Sequence, residues 1–105
     1  MSLYIVAPEA REDLVVIWNY HAQEVGDPGL ADRIGAEIVA SFHKLARTPG
    51  LGHFRSDLSE EPVRFWSVRK FLIVYNSEAK PIQIVRVLHG ARDVQAILGE
   101  GGNES

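Results

Sequence analysis

Apolar residues at helical spacing dominate the first quarter of the chain, after one short apolar run. The run from Leu3 to Val6 predicts a strand, which Ala7-Pro8 ends. From Pro8 to about Glu24, apolar and aromatic residues recur at i, i+4 and i+7, which predicts an amphipathic helix. The predicted core-facing stripe consists of Ala10, Leu14, Ile17, Trp18, His21 and Val25. We interpret His21 on this stripe as a core histidine with its hydrogen bonds satisfied.

Three apolar residues of this first helix lie off the stripe: Val15, Val16 and Tyr20. Single apolar residues are common on protein surfaces, so one interpretation gives them no function. The alternative is that they form apolar surface kept for a partner.

A second amphipathic helix is predicted from about Gly29 to Arg47. Asp27 suits the N-cap position, Pro28 suits the first helical position, and Thr48-Pro49-Gly50 ends the helix. Its apolar face consists of Ala31, Ile34, Ile38, Phe42 and Leu45. Because the connection between the two helices is short, they should form an antiparallel hairpin.

Strand patterns fill the rest of the chain after a polar loop from Leu51 to Pro62. Three segments, Val63–Val68, Phe71–Asn76 and Ile82–Leu88, are joined by turns short enough for an antiparallel meander. The middle segment is apolar on both faces, so we expect a central strand that is covered on both sides.

A short helix should follow from Ala91 to Leu98, with a disordered polar tail over residues 99–105. The predicted fold is therefore α+β and two-layered, with element order β-α-α-β-β-β-α. We expect one domain, residues 1–98.

Composition narrows the class of protein. The 105 residues are 46% hydrophobic and 24% charged and contain no cysteine, which fits a soluble domain in a reducing cytoplasm. The N-terminus lacks a signal-peptide pattern, and the longest apolar run is far too short to span a membrane. The net charge of −3 is unfavourable for a protein that grips nucleic acid through its phosphates.

Polar side chains cluster where the last strand meets the last helix. Arg86, His89 and Arg92 fall within seven residues, and Gly90 supplies a turn that needs positive φ. Arg86 in an apolar row with Ile82, Ile84 and Leu88 favours a structural ion pair, with Asp93 or a loop carbonyl as partner, over target contact. For His89, fixing the turn through a backbone hydrogen bond is favoured over proton transfer, and Arg92-Asp93 fits a helix-start pair.

Two further side chains have alternative interpretations. Trp66 suits core packing, or an interface anchor beside Arg64. The four histidines have no partner at i+4 and there is no cysteine, so no metal site is predicted. No cofactor motif is present either.

Four segments together resemble the RelE/ParE superfamily of bacterial toxins from type II toxin–antitoxin modules. They are APEAREDLVVIWNY, FHKLARTPGLGHFRSDL, RFWSVRKFLIVY and IQIVRVLHGARDVQAIL. The resemblance covers about Leu3 to Leu98 and implies a cognate antitoxin as partner in a toxin–antitoxin hetero-oligomer. RelE-like members cut mRNA on the ribosome, whereas ParE-like members are associated with inhibition of DNA gyrase.

Two positions favour the ParE-like branch. Leu72 stands where a recurring pattern of RelE-like nucleases has arginine, and Gln95 stands where another has a tyrosine, a candidate proton-transfer group. Losing one donor that stabilises a transition state costs about 2.7–4 kcal/mol of barrier. The acidic net charge argues in the same direction.

The resemblance therefore implies a gyrase-binding inhibitor without enzymatic activity, with Arg64, Trp66, Arg86, His89 and Arg92 as target-binding candidates. Val15, Val16 and Tyr20 are the candidates for antitoxin binding. The alternative is a ribosome-dependent mRNA endoribonuclease that uses Arg64, Arg86, His89 and Arg92. A third possibility is a module member that binds its antitoxin but has lost toxicity.

Overall fold

A computed structural model describes residues 3–90 as a five-stranded sheet with two helices packed on one face. The strands are β1 (Tyr4–Val6), β2 (His53–Phe54), β3 (Arg64–Val68), β4 (Phe71–Asn76) and β5 (Ile82–His89). The helices are α1 (Pro8–Asn19), continued by a π-helical turn at Tyr20–Glu24, and α2 (Pro28–Arg47), followed by a 3-10 turn at Pro49–Leu51. The predicted α+β two-layer fold is confirmed over these residues.

The strands lie in the order β1-β5-β4-β3-β2. The predicted meander of β3, β4 and β5 is antiparallel, and β1 joins its far edge parallel to β5. Strand β2 was not predicted, because its two residues lie in a stretch whose glycines, proline and charges are typical of a loop. The final predicted helix, Ala91–Leu98, and the tail lie outside the described residues.

The helical hairpin forms as predicted, and its start signal is confirmed. The Asp27 carboxylate accepts a hydrogen bond from the Leu30 N–H at 3.0 Å, and Pro28 occupies the first turn of α2. All five predicted core residues of α2 are buried.

The stripe predicted for the first helix is only partly correct. Ala10 and His21 are buried, and the His21 Nδ1 lies 2.8 Å from the Ile17 carbonyl oxygen, as expected for a core histidine. Trp18 and Val25, however, are 39% and 50% exposed. The π-helical turn explains Val25, because the wider i→i+5 bond from the Val25 N–H to the Tyr20 carbonyl rotates it off the α-helical face.

Strand β4 is central and covered on both sides, as predicted. Phe71, Ile73 and Tyr75 face the helices, whereas Val74 belongs to a second apolar cluster on the opposite face. The loop before β3 covers that face with Leu58. Burying each such side chain contributes roughly 1.5–3 kcal/mol, so the sheet is stabilised from both sides.

A β-bulge in β5 overturns the predicted face of Leu88. Val74 pairs with Arg86, but the next residue, Tyr75, pairs with Ile84, so one extra residue is inserted at Val85. Ile84 therefore packs in the helix-side cluster and Leu88 in the opposite cluster. The sequence alternation assumed an unbroken strand and placed both on one face.

Candidate functional site

Arg86 is held by a carboxylate from the first helix. Its Nε and Nη2 atoms each donate to Asp13 at 2.8 Å, and both side chains are at least three-quarters shielded from solvent. The hydrogen bonds from Arg86 to Asp13, and then the nearby charge of Asp13, raise the pKa of Arg86 above its usual value. The predicted structural ion pair is confirmed, and its partner is Asp13, whereas Asp93 lies outside the described residues.

Asp13 also accepts a backbone hydrogen bond at the edge of the sheet. The Val87 N–H donates to its carboxylate at 2.9 Å, at a point on β5 beyond the last residue of β1. Since an unpaired backbone N–H is costly once shielded from water, Asp13 acts as a substitute for the missing strand.

Arg64 is engaged in the loop that leads into β2. Its Nη1 donates to the Gly52 carbonyl at 2.9 Å and its Nε donates to the Ser77 hydroxyl at 3.0 Å. The guanidinium carbon also lies 4.2 Å from the centre of the Phe54 ring. These contacts give Arg64 a structural role, because its Nε and Nη1 both donate to the chain itself.

Tyr75, which pairs with Arg64 in the sheet, binds the same loop from within the core. The Tyr75 hydroxyl donates to the Pro49 carbonyl at 2.7 Å and accepts from the Gly52 N–H at 2.8 Å. Burial raises the pKa of Tyr75 above its ordinary value, although the Gly52 hydrogen bond opposes this effect.

Trp66 and His89 lie in different surroundings. Trp66 is half-buried against the helix-side core, with the Lys44 Nζ 5.7 Å from its ring centre, so the core-packing interpretation holds. His89 is exposed at the end of β5, and its ring centre lies 5.4 Å from that of Phe71. Gly90 follows with φ of 76°, as the predicted turn requires.

The sheet does not gather the candidate nuclease residues. Arg64 pairs with Tyr75 and His89 pairs with Phe71, so four residues of β4 and two strand spacings separate them. At ~3.4 Å per residue and ~4.8 Å per strand, their backbones are roughly 17 Å apart. Arg92, the fourth member of the predicted set, lies outside the described residues.

The outer face of the hairpin exposes apolar side chains. Val15, Val16 and Tyr20 are 52%, 61% and 54% exposed, so they lie off the core face as predicted. Trp18 is also exposed, and its indole N–H donates to Asp32 at the start of α2 at 2.9 Å. This hydrogen bond joins the outer surface of α1 to α2.

Comparison with known proteins identifies the family. A model of the "ParE toxin of type II toxin-antitoxin system, parDE" matches residues 4–94, which include every described element. The chain belongs to the ParE toxin family. It is similar to Toxin ParE1 of Caulobacter vibrioides, with 30% identity over 94% of this chain and all of that protein. It is also similar to Toxin ParE3 of the same organism, with 35% identity over 60% of this chain and 62% of that protein.

A solved structure supports the same conclusion. The chain resembles a protein of the "Chromosomal ParDE TA system from P. aeruginosa" with a TM-score of 0.69 and 26% identity. The match covers 83% of this chain and 94% of that one. This ParE-family toxin is therefore the toxin of a ParDE type II toxin–antitoxin system, with an antitoxin as its partner.

Other candidate sites are sparse in the part of the toxin that the structure describes. Over residues 3–90, no group of three histidine, aspartate or glutamate side chains is placed to hold a metal ion. None of the described helices is both long and apolar enough to cross a bilayer. An open groove of about 310 Å³ beside β3 is lined by His53, Arg55, Phe65, Trp66, Ser67 and Leu72. Arg55 there is already paired with Asp57 at 2.8 Å.

Sequence reasoning missed Asp13 and Asp32. Neither residue belongs to the motifs or apolar stripes from which the candidate site was predicted. Both residues act across the tertiary structure, Asp13 on a strand 73 residues later and Asp32 on the preceding helix. A weak signal was available for Asp13, since a half-buried Arg86 requires a carboxylate and Asp13 lies next to the core-facing residue Leu14.

Proposed function

We propose that this ParE-family toxin inhibits DNA gyrase by binding to it in the cytoplasm, and that its antitoxin neutralises it. The proposal rests on one observation: two of the arginines that a nuclease would use for catalysis already bind other groups of the toxin. Arg86 is bound to Asp13, and Arg64 is bound to Gly52 and Ser77. An RNA-cutting site requires such donors to point at the developing phosphorane charge.

The separation of Arg64 and His89 supports the same proposal. General acid–base catalysis requires the reacting groups within hydrogen-bond reach of one substrate atom. Two residues whose backbones are roughly 17 Å apart by strand geometry do not meet that requirement around one phosphate. Leu72, which replaces the arginine of RelE-like nucleases, removes a further charge, and its side chain packs in the apolar cluster opposite the helices.

The target-binding candidates have unequal roles in this proposal. His89 is exposed and is the described side chain best placed for direct contact with gyrase. Arg64, Arg86 and Trp66 are half-buried and would support that surface as much as contact the target. Arg92 remains a candidate outside the described residues.

Antitoxin binding is assigned to the exposed apolar face of α1. Val15, Val16 and Tyr20 present their side chains to solvent in the free toxin. Contiguous apolar surface of this kind marks interaction sites on small proteins. A toxin–antitoxin hetero-oligomer follows from this assignment.

A supercoiling assay with purified toxin and gyrase tests the proposed activity. We expect inhibition to saturate near one toxin per gyrase subunit, and His89→Ala to weaken it, with Lys80→Ala in the β4–β5 turn as the matched control. A parallel assay supplies ribosomes and mRNA. Multiple-turnover cleavage of the message, without inhibition of gyrase, would replace this proposal with the nuclease alternative.

Co-expression with the product of the adjoining gene tests neutralisation separately. We expect that protein to restore growth to cells that make the wild-type toxin. Val16→Asp should stay toxic but escape rescue, because it places a charge in the antitoxin contact and leaves His89 intact. Normal growth of cells that overproduce the wild-type toxin alone would contradict the assignment of toxicity.

A further inference from the structure

The turn between β3 and β4 carries two adjacent cations at one end of the sheet. Arg69 and Lys70 form this two-residue turn, and both are exposed. Phe71, the next residue, pairs with His89 of β5, so the backbones of Lys70 and His89 lie within ~10 Å of each other. The strand register therefore places two basic residues beside the exposed side chain that is proposed to contact gyrase.

Arg69 is held in a fixed orientation by its backbone and by Glu37. Its φ of 54° lies in the left-handed region, where a residue with a Cβ is strained. Strain of this kind persists only where the surrounding structure fixes it, and it clusters at functional positions. The Glu37 carboxylate on α2 accepts from Nε at 2.6 Å and from Nη2 at 3.0 Å, so the Nη1 donors of Arg69 are not used in this pair.

The surroundings of this turn contain more positive than negative charge. The hydrogen bond from Arg69 lowers the pKa of Glu37, and the charge of Arg33, one helical turn earlier on α2, lowers it further. Asp32, the neighbour of Arg33, is bound instead to the Trp18 indole on α1. Three cations, Arg33 and the two of the turn, thus lie around one carboxylate, although the whole chain has a net charge of −3.

We infer that the end of the sheet formed by Arg33, Arg69, Lys70 and His89, the cationic end, is a contact surface for carboxylates of gyrase. Arg69 and Lys70 make the direct ion pairs, and Arg33 adds to the positive field. Glu37 is a positioning residue, since it acts on the partner through Arg69. The inference rests on the proposed inhibition of gyrase, and it names the chemistry of the surface that is bound.

The number of cations favours a protein partner over nucleic acid. A protein that grips DNA through its phosphates gains affinity with each contact, and tight binders make about 6–10 such contacts. Three cations beside a carboxylate, on a chain with a net charge of −3, supply too few. A small set of carboxylates on a protein matches them, because complementary charges at an interface speed association and fix the register of the partners.

The test measures the rate at which the purified toxin associates with gyrase in the absence of DNA. Lys70→Glu should lower this rate about tenfold at low salt, because it reverses a charge within the contact. Lys80→Glu makes the same charge change in the β4–β5 turn, at the other end of β4, and should alter the rate less than about twofold. The difference between the two variants should shrink as the ionic strength rises.

Arg69→Gly separates binding from folding. Glycine adopts the left-handed conformation without strain, so the thermal unfolding midpoint of this variant should be unchanged or raised. Its association rate with gyrase should nevertheless fall about 3- to 5-fold, because one cation of the contact is lost. Weaker binding by a variant that is no less stable cannot result from misfolding.

Replacement of Glu37 tests its positioning role through two rates. Glu37→Gln removes the carboxylate from the cationic end, so association should become about 2- to 3-fold faster. Dissociation should also become faster, because Arg69 then has to lose rotamer freedom when it binds. Glu78→Gln, which makes the same charge change in the β4–β5 turn, should alter neither rate by more than about 1.5-fold.

The outcomes distinguish this inference from the proposed function. Equal association rates for Lys70→Glu and Lys80→Glu, with inhibition by the wild-type toxin intact, overturn the cationic end and leave gyrase inhibition standing. A difference between them that appears only when DNA is present overturns carboxylates as the ligand and assigns phosphates instead. Failure of the wild-type toxin to bind gyrase under either condition overturns both the inference and the proposed function.

Discussion

Asp13 in α1 and Arg86 in β5 are 73 residues apart in sequence, and two hydrogen bonds of 2.8 Å join them. The same carboxylate accepts the Val87 N–H at 2.9 Å, so one side chain neutralises a cation and completes a strand edge. This relationship ties the first helix to the last described strand at the point where the β-bulge interrupts regular pairing.

Removing Asp13 should destabilise the toxin more than removing Arg86. Asp13→Ala leaves a shielded guanidinium and a backbone N–H without partners, which should cost about 3–5 kcal/mol of the free energy of unfolding. Arg86→Met removes the charge but keeps the hydrogen bond from Val87 to Asp13, so about 1–3 kcal/mol is expected. Urea unfolding of the purified variants measures both values.

The double variant Asp13→Ala/Arg86→Met supplies the control for this pair. Its loss should be smaller than the sum of the two single losses, because neither charge is then left without its partner. Additive losses, or a larger loss for Arg86→Met, would contradict the role assigned to Asp13.

Gly52 and Gly50 form a matched pair of substitutions in one loop. An added Cβ at Gly52 would lie 2.7 Å from the Tyr75 hydroxyl and 2.8 Å from the Phe65 carbonyl oxygen, whereas at Gly50 it would meet nothing within 4 Å. We expect Gly52→Ala to cost about 1–3 kcal/mol of the free energy of unfolding. Gly50→Ala should stay within about 0.5 kcal/mol of wild type. Equal thermal unfolding midpoints for the two variants would refute the close packing described for Gly52.

The Tyr75 hydroxyl should make stability depend on pH in the alkaline range. Burial raises its pKa in the folded state above the unfolded value of about 10. The folded state therefore holds the proton more tightly, so this stabilisation is complete below about pH 10 and is lost as pH rises through the folded pKa. Chemical denaturation from pH 8 to 11 measures the loss.

Tyr75→Phe isolates this contribution from that of other alkaline groups. At neutral pH it should cost about 1–3 kcal/mol, because the Gly52 N–H and the Pro49 carbonyl lose their shared partner. Above pH 10 the difference between wild type and variant should narrow. A constant difference over the whole range would indicate that the Tyr75 hydroxyl does not titrate with the unfolding equilibrium.

The exposed ion pair between Glu37 and Arg69 should contribute little to stability. Arg69 Nε and Nη2 lie 2.6 Å and 3.0 Å from the Glu37 carboxylate oxygens, and the Arg69 hydrogen bonds lower the pKa of Glu37. Solvent screens such a pair, so Glu37→Gln should leave the free energy of unfolding nearly unchanged.

Substitution of Arg69 allows a second measurement of this ion pair. The φ of Arg69 is 54°, which is unfavourable for a residue with a Cβ. In the Glu37→Gln background, Arg69→Gly should stabilise the toxin, since only the backbone strain is then relieved. A clear loss of stability from either change would show that the pair matters more than its exposure suggests.

The regular elements were predictable because each one depends on local chemistry. The α2 core face follows from i, i+4 spacing between Asp27-Pro28 and Thr48-Pro49, and both signals act within a few residues. Strand β4 was predictable as central because an apolar run with no polar face must be covered twice. Strand β2 was not predictable, since two exposed residues have no periodicity.

The candidate site was less predictable for a different reason. Sequence proximity grouped Arg86 and His89 and suggested Asp93 as a partner, but strand pairing and helix docking decide which charges meet. The π-helical turn and the β-bulge each shift the register by about one residue, and one residue is enough to move Val25 or Leu88 to another face.

Periodicity, caps and motifs are local properties of the chain, so the residues alone predicted the main helices and strands, the central strand, the hairpin and the resemblance to a toxin family. Three facts emerge from the folded chain alone: Arg86 is paired with Asp13, Arg64 and His89 lie at opposite ends of the sheet, and Trp18 is exposed and bound to Asp32. Those facts depend on contacts between residues distant in sequence, whose geometry is fixed only when both layers pack together.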